Sequence, residues 1–172
     1  MKVGYLHVGR EGGGVRRYGS MIAQAARGLP DVEVLEADGG GREPTKGAMA
    51  AAARTLRAAD VVHIQWKPND WGGGRRAFKH LKSFLGTVQR PVVATLHDVW
   101  ERQGLRERWL NTDVHTLRGL GVRAARLTVH SEEERRRLDG FVKPNRVEIV
   151  PHFVEQRTLA DAEDSRALLG LT

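Results

Sequence analysis

The strongest constraint on the fold of this chain is a regular alternation of two kinds of segment. Six short apolar runs rich in β-branched residues lie at 2–8, 32–36, 61–66, 91–96, 125–130 and 146–150. Longer stretches with helical spacing or helix-forming composition lie at 15–28, 46–58, 74–88, within 101–121 and at 132–138. Alternating strands and helices are typical of a parallel sheet. Because the strands are almost uniformly apolar, the pattern predicts an α/β fold, a Rossmann-like doubly wound parallel sheet with helices on both faces.

Turn and cap residues support these boundaries. Pro30 follows the first helix, Pro91 opens the fourth strand, and Pro151 ends the sixth. Ser131 and Glu134 have the spacing of a capping box at the start of the last helix. The sequence becomes polar after Pro151. It therefore predicts a Rossmann-like domain over residues 1–152, then a linker over 153–172 that leads into a second domain.

Composition limits the classes of function. The 172 residues include no cysteine, which excludes disulfides, thiolate metal ligands and a cysteine nucleophile. A net charge of +7 favours an anionic partner, either a phosphorylated ligand, an acidic membrane surface or a nucleic acid. Nucleic acid is not expected, because the charged run at 132–137, three glutamates followed by three arginines, contains no aromatic residue and no nucleic-acid-binding motif accompanies it. The polar start of the chain does not resemble a signal peptide, so a cytoplasmic location is expected.

Glycines follow the first predicted strand. Gly12, Gly13 and Gly14 join it to the first helix, where backbone N–H groups and the helix N-terminus favour an anion. The spacing matches neither the dinucleotide fingerprint nor the Walker loop. A phosphate site and a tight turn that simply needs glycine both remain open.

A histidine ends the fourth predicted strand. Parallel sheets bind ligands at the carboxyl ends of their strands, so His97 is a candidate hydrogen-bond donor or proton shuttle. The alternative is a histidine whose hydrogen bonds are satisfied by the backbone, with Asp98 as a helix cap. Spacing to the other six histidines matches no known metal motif, so no metal site and no metal cofactor are expected.

The end of the third strand supplies further candidates. Gln65, Trp66 and Lys67 are expected to reach the same crevice. Trp66 and Trp100 are two of four tryptophans between 66 and 109, and their rings suit the face of a sugar. Core packing or a protein interface explains any single tryptophan equally well.

Five segments taken in order resemble a known family. They are Gly12–Gly14 at the first helix, 59–65, 91–98, 127–134 and 147–154. This order and spacing resembles the N-terminal half of a family 4 glycosyltransferase, the GT-B class that transfers sugars from nucleotide donors with retention.

The resemblance implies a role for each candidate residue. The N-terminal domain would hold most of the acceptor site, and an absent C-terminal domain would bind most of the nucleotide-sugar. Gly12, Gly13 and Gly14 would approach the donor phosphate, and His97 would contact the transferred sugar. The acceptor side of the cleft would be formed by Gln65, Trp66, Lys67, Asp98, Trp100 and Ser131.

The resemblance thus implies a glycosyltransferase (hexosyltransferase-like), of which this 172-residue part is expected to be inactive alone. Its partners would be a nucleotide-sugar donor, a sugar, lipid or small-molecule acceptor, and the missing domain. Arginines between 102 and 126 add an expected peripheral contact with anionic membranes on the inner membrane face. The alternative is a standalone Rossmann-like domain that binds a phosphorylated metabolite without catalysis.

Overall fold

A computed structural model describes residues 1–41, 43–99 and 112–152. These residues form one parallel sheet of six strands in the order β2-β1-β3-β4-β5-β6. The strands are β1 (Lys2–His7), β2 (Glu33–Asp38), β3 (Val61–Trp66), β4 (Val92–Leu96), β5 (Arg126–Val129) and β6 (Val147–Ile149). The predicted α/β architecture is confirmed.

Over residues 1–41, 43–99 and 112–152, five helices connect the strands. They are α1 (Gly14–Arg27), α2 (Lys46–Leu56), α3 (Gly74–Val88), α4 (Thr112–Arg123) and α5 (Glu132–Arg137), and short 3₁₀ turns lie at Pro68–Trp71 and Pro144–Arg146. The region 101–121, within which a helix was predicted, overlaps α4, and α4 ends two residues beyond it. The predicted linker over 153–172 lies outside the described residues, so the division into two domains stays a prediction.

The two faces of the sheet have different partners. Leu6, Ile64 and Leu96 point to the main core, which contains the buried residues of α2 and α3. Tyr5, on the opposite face of β1, packs with Ala23 of α1 in a second, smaller core. Side chains alternate between the faces of a strand, so each strand serves both helix layers. Helices therefore cover both faces, as predicted.

Ion pairs join α1 to the edge strand β2. Arg16 binds Asp38 at 2.5 Å and donates to the Gly9 carbonyl at 3.2 Å. The Arg16 guanidinium is the main cause of the lowered pKa of the Asp38 carboxyl. Farther along the helix, Arg27 pairs with Glu36. These contacts fix how the start of α1 sits above the end of β1.

The strand order places the ligand edge of the sheet. The first crossover runs from β1 outward to β2, and the next returns past β1 to β3. Such a reversal opens a crevice at the carboxyl ends of the strands. The loops that follow β1, β3, β4, β5 and β6 all begin at this edge.

Candidate functional site

Three histidines meet at the carboxyl edge of the sheet. His97 follows β4, His130 follows β5, and His152 follows β6. The His130 and His152 rings stack with centroids 3.5 Å apart, and the His97 centroid lies 5.1 and 5.8 Å from them. Tyr18 of α1 packs edge-on against all three rings, at 5.2–5.6 Å. We call these three histidines the histidine cluster.

A hydrogen-bonded chain of polar side chains leads to the cluster across three strands. Thr128 and Thr95 hydroxyls lie 2.7 Å apart, and the Thr95 hydroxyl lies 2.8 Å from Nε2 of His63. Oε1 of Gln65 lies 2.7 Å from Nε2 of His97. The amide oxygen can only accept, so the Nε2–H of His97 must donate and its Nδ1 keeps the lone pair.

The same amide fixes the tautomer of His63. The Gln65 NH2 group lies 3.5 Å from Nε2 of His63 and can only donate, so that nitrogen is an acceptor. Burial lowers the pKa of His63 to about 4. Burial is also the first cause of the pKa of about 4 at His97, with the neighbouring His130 and His152 next. Both rings are therefore neutral at physiological pH.

This environment predicts an acid-dependent loss of stability. The unfolded chain binds a proton at His63 near pH 6.5, whereas the folded chain resists it until about pH 4. Unfolding therefore takes up a proton in this window, and the free energy of unfolding falls as pH falls. His63→Gln should make the slope between pH 6.5 and 4.5 shallower by up to about 1.4 kcal/mol per pH unit. Urea unfolding at several pH values measures it, and parallel slopes would contradict the assignment.

The loop after β5 is held by the start of α5. The Ser131 hydroxyl accepts from the Glu134 N–H at 3.2 Å, which confirms the cap. The Glu134 carboxylate, however, accepts from the N–H of His130 at 2.7 Å, one residue before the cap. His130 also places Nδ1 2.9 Å from the Val150 carbonyl. The first contact holds the backbone of His130 and the second orients its ring. The cleft role of Ser131 stays a prediction.

The glycine loop after β1 is partly a tight turn. Gly12 has φ +75°, and the Gly13 N–H donates to the Arg10 carbonyl at 2.9 Å. A Cβ at Gly13 would lie 2.9 Å from that carbonyl, whereas one at Gly14 would meet nothing within 4 Å. α1 begins at Gly14 without a side-chain cap and without an acidic residue in its first turn. The approach of this loop to a phosphate stays a prediction.

Charged groups flank His97 on two loops. Lys67 and Asp98 form a half-exposed ion pair at 3.1 Å. Asp98 has φ +62°, a left-handed conformation that costs a non-glycine residue free energy and occurs often at functional sites. The Asp70 side chain lies against Gly9 in the loop after β1. Burial raises the pKa of the Asp70 carboxyl. The crevice thus holds charges of both signs next to the neutral ring of His97.

The interpretation of Trp66 as a cleft residue is wrong. Trp66 is 2% exposed and lies in the main core, where its ring is 5.0 Å from Trp71. It follows Gln65 in the strand and so points to the opposite face, toward α3. Trp71 is also fully buried, and its indole N–H donates to the Gln65 carbonyl at 3.0 Å. Trp100 lies outside the described residues.

Sequence reasoning missed the histidine cluster itself. It found His97 at a strand end but tested the other histidines only for short motif spacing. His130 and His152 lie 33 and 55 positions beyond His97, so no local motif could join them. Their positions at the end of a predicted strand (His130) and two residues after one (His152) were the available signal, because parallel strands end at the same edge.

Comparisons with known proteins agree with this architecture. The model of Glycosyltransferase Family 4 matches residues 15–157, which is most of the chain. This chain belongs to glycosyltransferase family 4. No curated protein sequence matches the family 4 chain. Five solved chains match it in structure.

One of these structures is HepE from Anabaena, solved in complex with UDP and glucose. It aligns with a TM-score of 0.60 at 13% sequence identity and covers 99% of the family 4 chain. The family 4 chain spans 50% of the length of HepE. The similarity confirms the predicted fold. Among the described residues, no helix is both long and apolar enough to span a membrane.

Proposed function

We propose that this family 4 domain forms the acceptor-side half of a sugar-transfer site. In this proposal a second Rossmann-like domain carries the nucleotide-sugar donor to the carboxyl edge of the sheet, and the sugar passes to the acceptor with retention. The observation that carries the proposal is the convergence of His97, Lys67 and the start of α1 at that edge in a family 4 chain. HepE, which has a similar fold, was solved with UDP and glucose.

His97 is the proposed contact with the transferred sugar. Gln65 holds the Nε2–H of His97, so Nδ1 offers a lone pair that can accept a hydrogen bond from a sugar hydroxyl. Burial keeps the ring neutral, because the pKa of His97 is lowered to about 4. A neutral acceptor with a fixed orientation suits the binding of a polar, uncharged sugar.

The start of α1 is the proposed contact with the diphosphate. The first N–H groups of a helix have no partner inside the helix, and its dipole places partial positive charge there. The first turn of α1 contains no acidic residue that would repel a phosphate. Negative charge builds on the leaving diphosphate during transfer, and these groups would stabilise it. In this proposal the transfer requires no divalent metal.

Transfer assays test the proposal on two forms of the protein. The protein in which the proposed donor domain follows residue 172 should transfer sugar from at least one member of a nucleotide-sugar panel. The 172-residue chain should fold but transfer none, because it lacks the donor-binding half. Transfer by the 172-residue chain alone would contradict the division of labour between two domains.

Gly14→Val should lower the rate of sugar transfer from the nucleotide-sugar donor without unfolding the domain. A Cβ there meets nothing within 4 Å, so the fold can accept the side chain. The added methyl groups would stand where the diphosphate approaches, and we expect turnover to fall at least about tenfold. Gly86→Val in α3, where a Cβ also meets nothing within 4 Å, is the matched control. Equal activity of the two variants would exclude the start of α1 from the donor site.

Two further expectations remain proposals. The alternative function is binding of a phosphorylated metabolite without catalysis. Failure of every transfer assay together with saturable phosphate binding would favour it.

The second expectation is contact with an anionic membrane surface. Its expected basic face includes Arg102, Arg106 and Trp109, which lie outside the described residues. Co-sedimentation with acidic but not neutral liposomes at low salt would support that contact.

A further inference from the structure

The histidine cluster places three potential nitrogen ligands in one small volume. His97, His130 and His152 each offer a ring nitrogen, and these atoms all lie within 4.8 Å of one another. Three protein ligands leave a fourth position for water or another ligand on a tetrahedral metal ion. The proposed sugar-transfer function assigns roles to only one of the three side chains.

Two of the rings are already held in the tautomers that a metal needs. The Nδ1–H of His130 donates to the Val150 carbonyl, so Nε2 keeps its lone pair. The Nε2–H of His97 donates to Gln65, so Nδ1 keeps its lone pair. A metal-binding histidine usually donates its other ring N–H to a carbonyl or a similar acceptor, which orients the ring and raises its basicity.

The lone pair on Nε2 of His130 accepts no hydrogen bond. This nitrogen is buried and has no hydrogen-bond partner among the described residues. A buried polar atom without a partner costs about 1–3 kcal/mol. A metal bond would satisfy it. Within the described part of the chain, no aspartate, glutamate or cysteine completes the group, so its donors there are imidazole nitrogens. Such donors favour zinc and neighbouring transition metals over magnesium or calcium.

The cluster can close around an ion with a small movement. Zinc–nitrogen bonds of about 2.0–2.1 Å need ligand atoms closer together than the present outer limit of 4.8 Å. His152 is exposed and stacks on His130, so its ring can turn without disturbing the core. Tyr18, by contrast, packs against the rings from α1 and restricts the inner side.

We infer that His97, His130 and His152 form a binding site for a divalent transition metal such as Zn²⁺, with Nδ1 of His97 and Nε2 of His130 as preset ligands. This site goes beyond the proposed function and runs against the expectation from motif spacing. If both hold, the metal and the sugar compete for Nδ1 of His97, so bound Zn²⁺ would inhibit transfer.

Direct metal binding tests the inference on the 172-residue chain without any sugar. Calorimetric titration with ZnCl2 at neutral pH should show one ion per chain with a micromolar or lower dissociation constant. Co²⁺ in place of Zn²⁺ should give the visible absorption bands of a tetrahedral or five-coordinate nitrogen site. MgCl2 should not compete.

His152→Ala is the decisive variant, because the side chain is exposed and its loss leaves the core intact. We expect it to weaken Zn²⁺ binding by at least about tenfold. The matched control is His80→Ala, since His80 bonds the Trp71 carbonyl and lies outside the cluster. Thermal melting of each variant without metal reports on folding.

Three results would overturn the inference. The first is that the folded wild-type chain, at micromolar concentration, binds no Zn²⁺ even at a 100-fold excess of the metal. The second is that His152→Ala and His80→Ala weaken Zn²⁺ binding equally. The third is that added Co²⁺ shows only the spectrum of the hexahydrated ion. None of these results bears on sugar transfer. Conversely, if the two-domain protein transferred no sugar while the 172-residue chain bound Zn²⁺ as expected, the proposed function would be rejected and the metal site would stand.

Discussion

His97→Ala should lower turnover about 10²-fold in the protein that carries both this domain and the proposed donor domain. The substitution removes the neutral Nδ1 acceptor that faces the proposed sugar and leaves Oε1 of Gln65 without its donor. Leaving this buried amide oxygen without a donor also lowers the free energy of unfolding by about 1–2 kcal/mol. Rates are therefore compared well below the melting temperatures of both the wild type and the variant. Steady-state kinetics with a transferable nucleotide-sugar measures the effect.

The control for this variant is His80→Ala. It removes a histidine that hydrogen-bonds a backbone carbonyl away from the strand-end crevice. We expect its turnover to stay near that of the wild type. Normal turnover of His97→Ala would return His97 to a purely structural role, whereas equal losses in both variants would point to destabilisation as the cause.

Trp71→Ala should destabilise the domain by about 3–5 kcal/mol, the usual cost of deleting a large buried aromatic ring. Trp71 is fully buried between the Trp66 ring, 5.0 Å away, and the Phe84 ring, 6.2 Å away. Its N–H also satisfies the Gln65 carbonyl. Urea unfolding of the 172-residue chain gives the free energy directly.

Two further variants separate the causes. Trp71→Phe keeps an aromatic ring but loses the indole N–H, so we expect a smaller loss of about 1–3 kcal/mol. Leu29→Ala changes a side chain that is 57% exposed and should stay within about 0.5 kcal/mol of the wild type. A Trp71→Ala chain as stable as the Leu29 variant would contradict the packing described for the core.

The sheet was predictable because its signals are local. A buried parallel strand such as β3 or β4 is a continuous apolar run, and the periodicity changes where a helix begins. Helix ends were also predictable where a cap marks them, as Ser131 does for α5. The bounds of α4 were not predicted, because a helix was expected only somewhere within 101–121, although Asn111, a residue type favoured at helix N-caps, stands directly before Thr112 in the sequence.

The candidate site was only partly predictable. His97, Gln65 and Lys67 were found because each lies at a strand end. Trp66 was wrongly assigned to the cleft because Gln65, Trp66 and Lys67 were treated as one group. Side chains alternate between the two faces of a strand, so Trp66 and Gln65 point to opposite faces. The contacts of His130 and His152 depend on the order of β4, β5 and β6 in the sheet, and no local spacing encodes that order.

A crystal structure of the two-domain protein with an intact nucleotide-sugar would locate the sugar and the diphosphate directly. We predict that the transferred sugar lies at the carboxyl edge of the sheet, with a hydroxyl within hydrogen-bond distance of Nδ1 of His97. We also predict the diphosphate at the start of α1, near Gly14. A sugar bound away from this edge, with no ligand atom in contact with the histidine cluster, would contradict the proposed function.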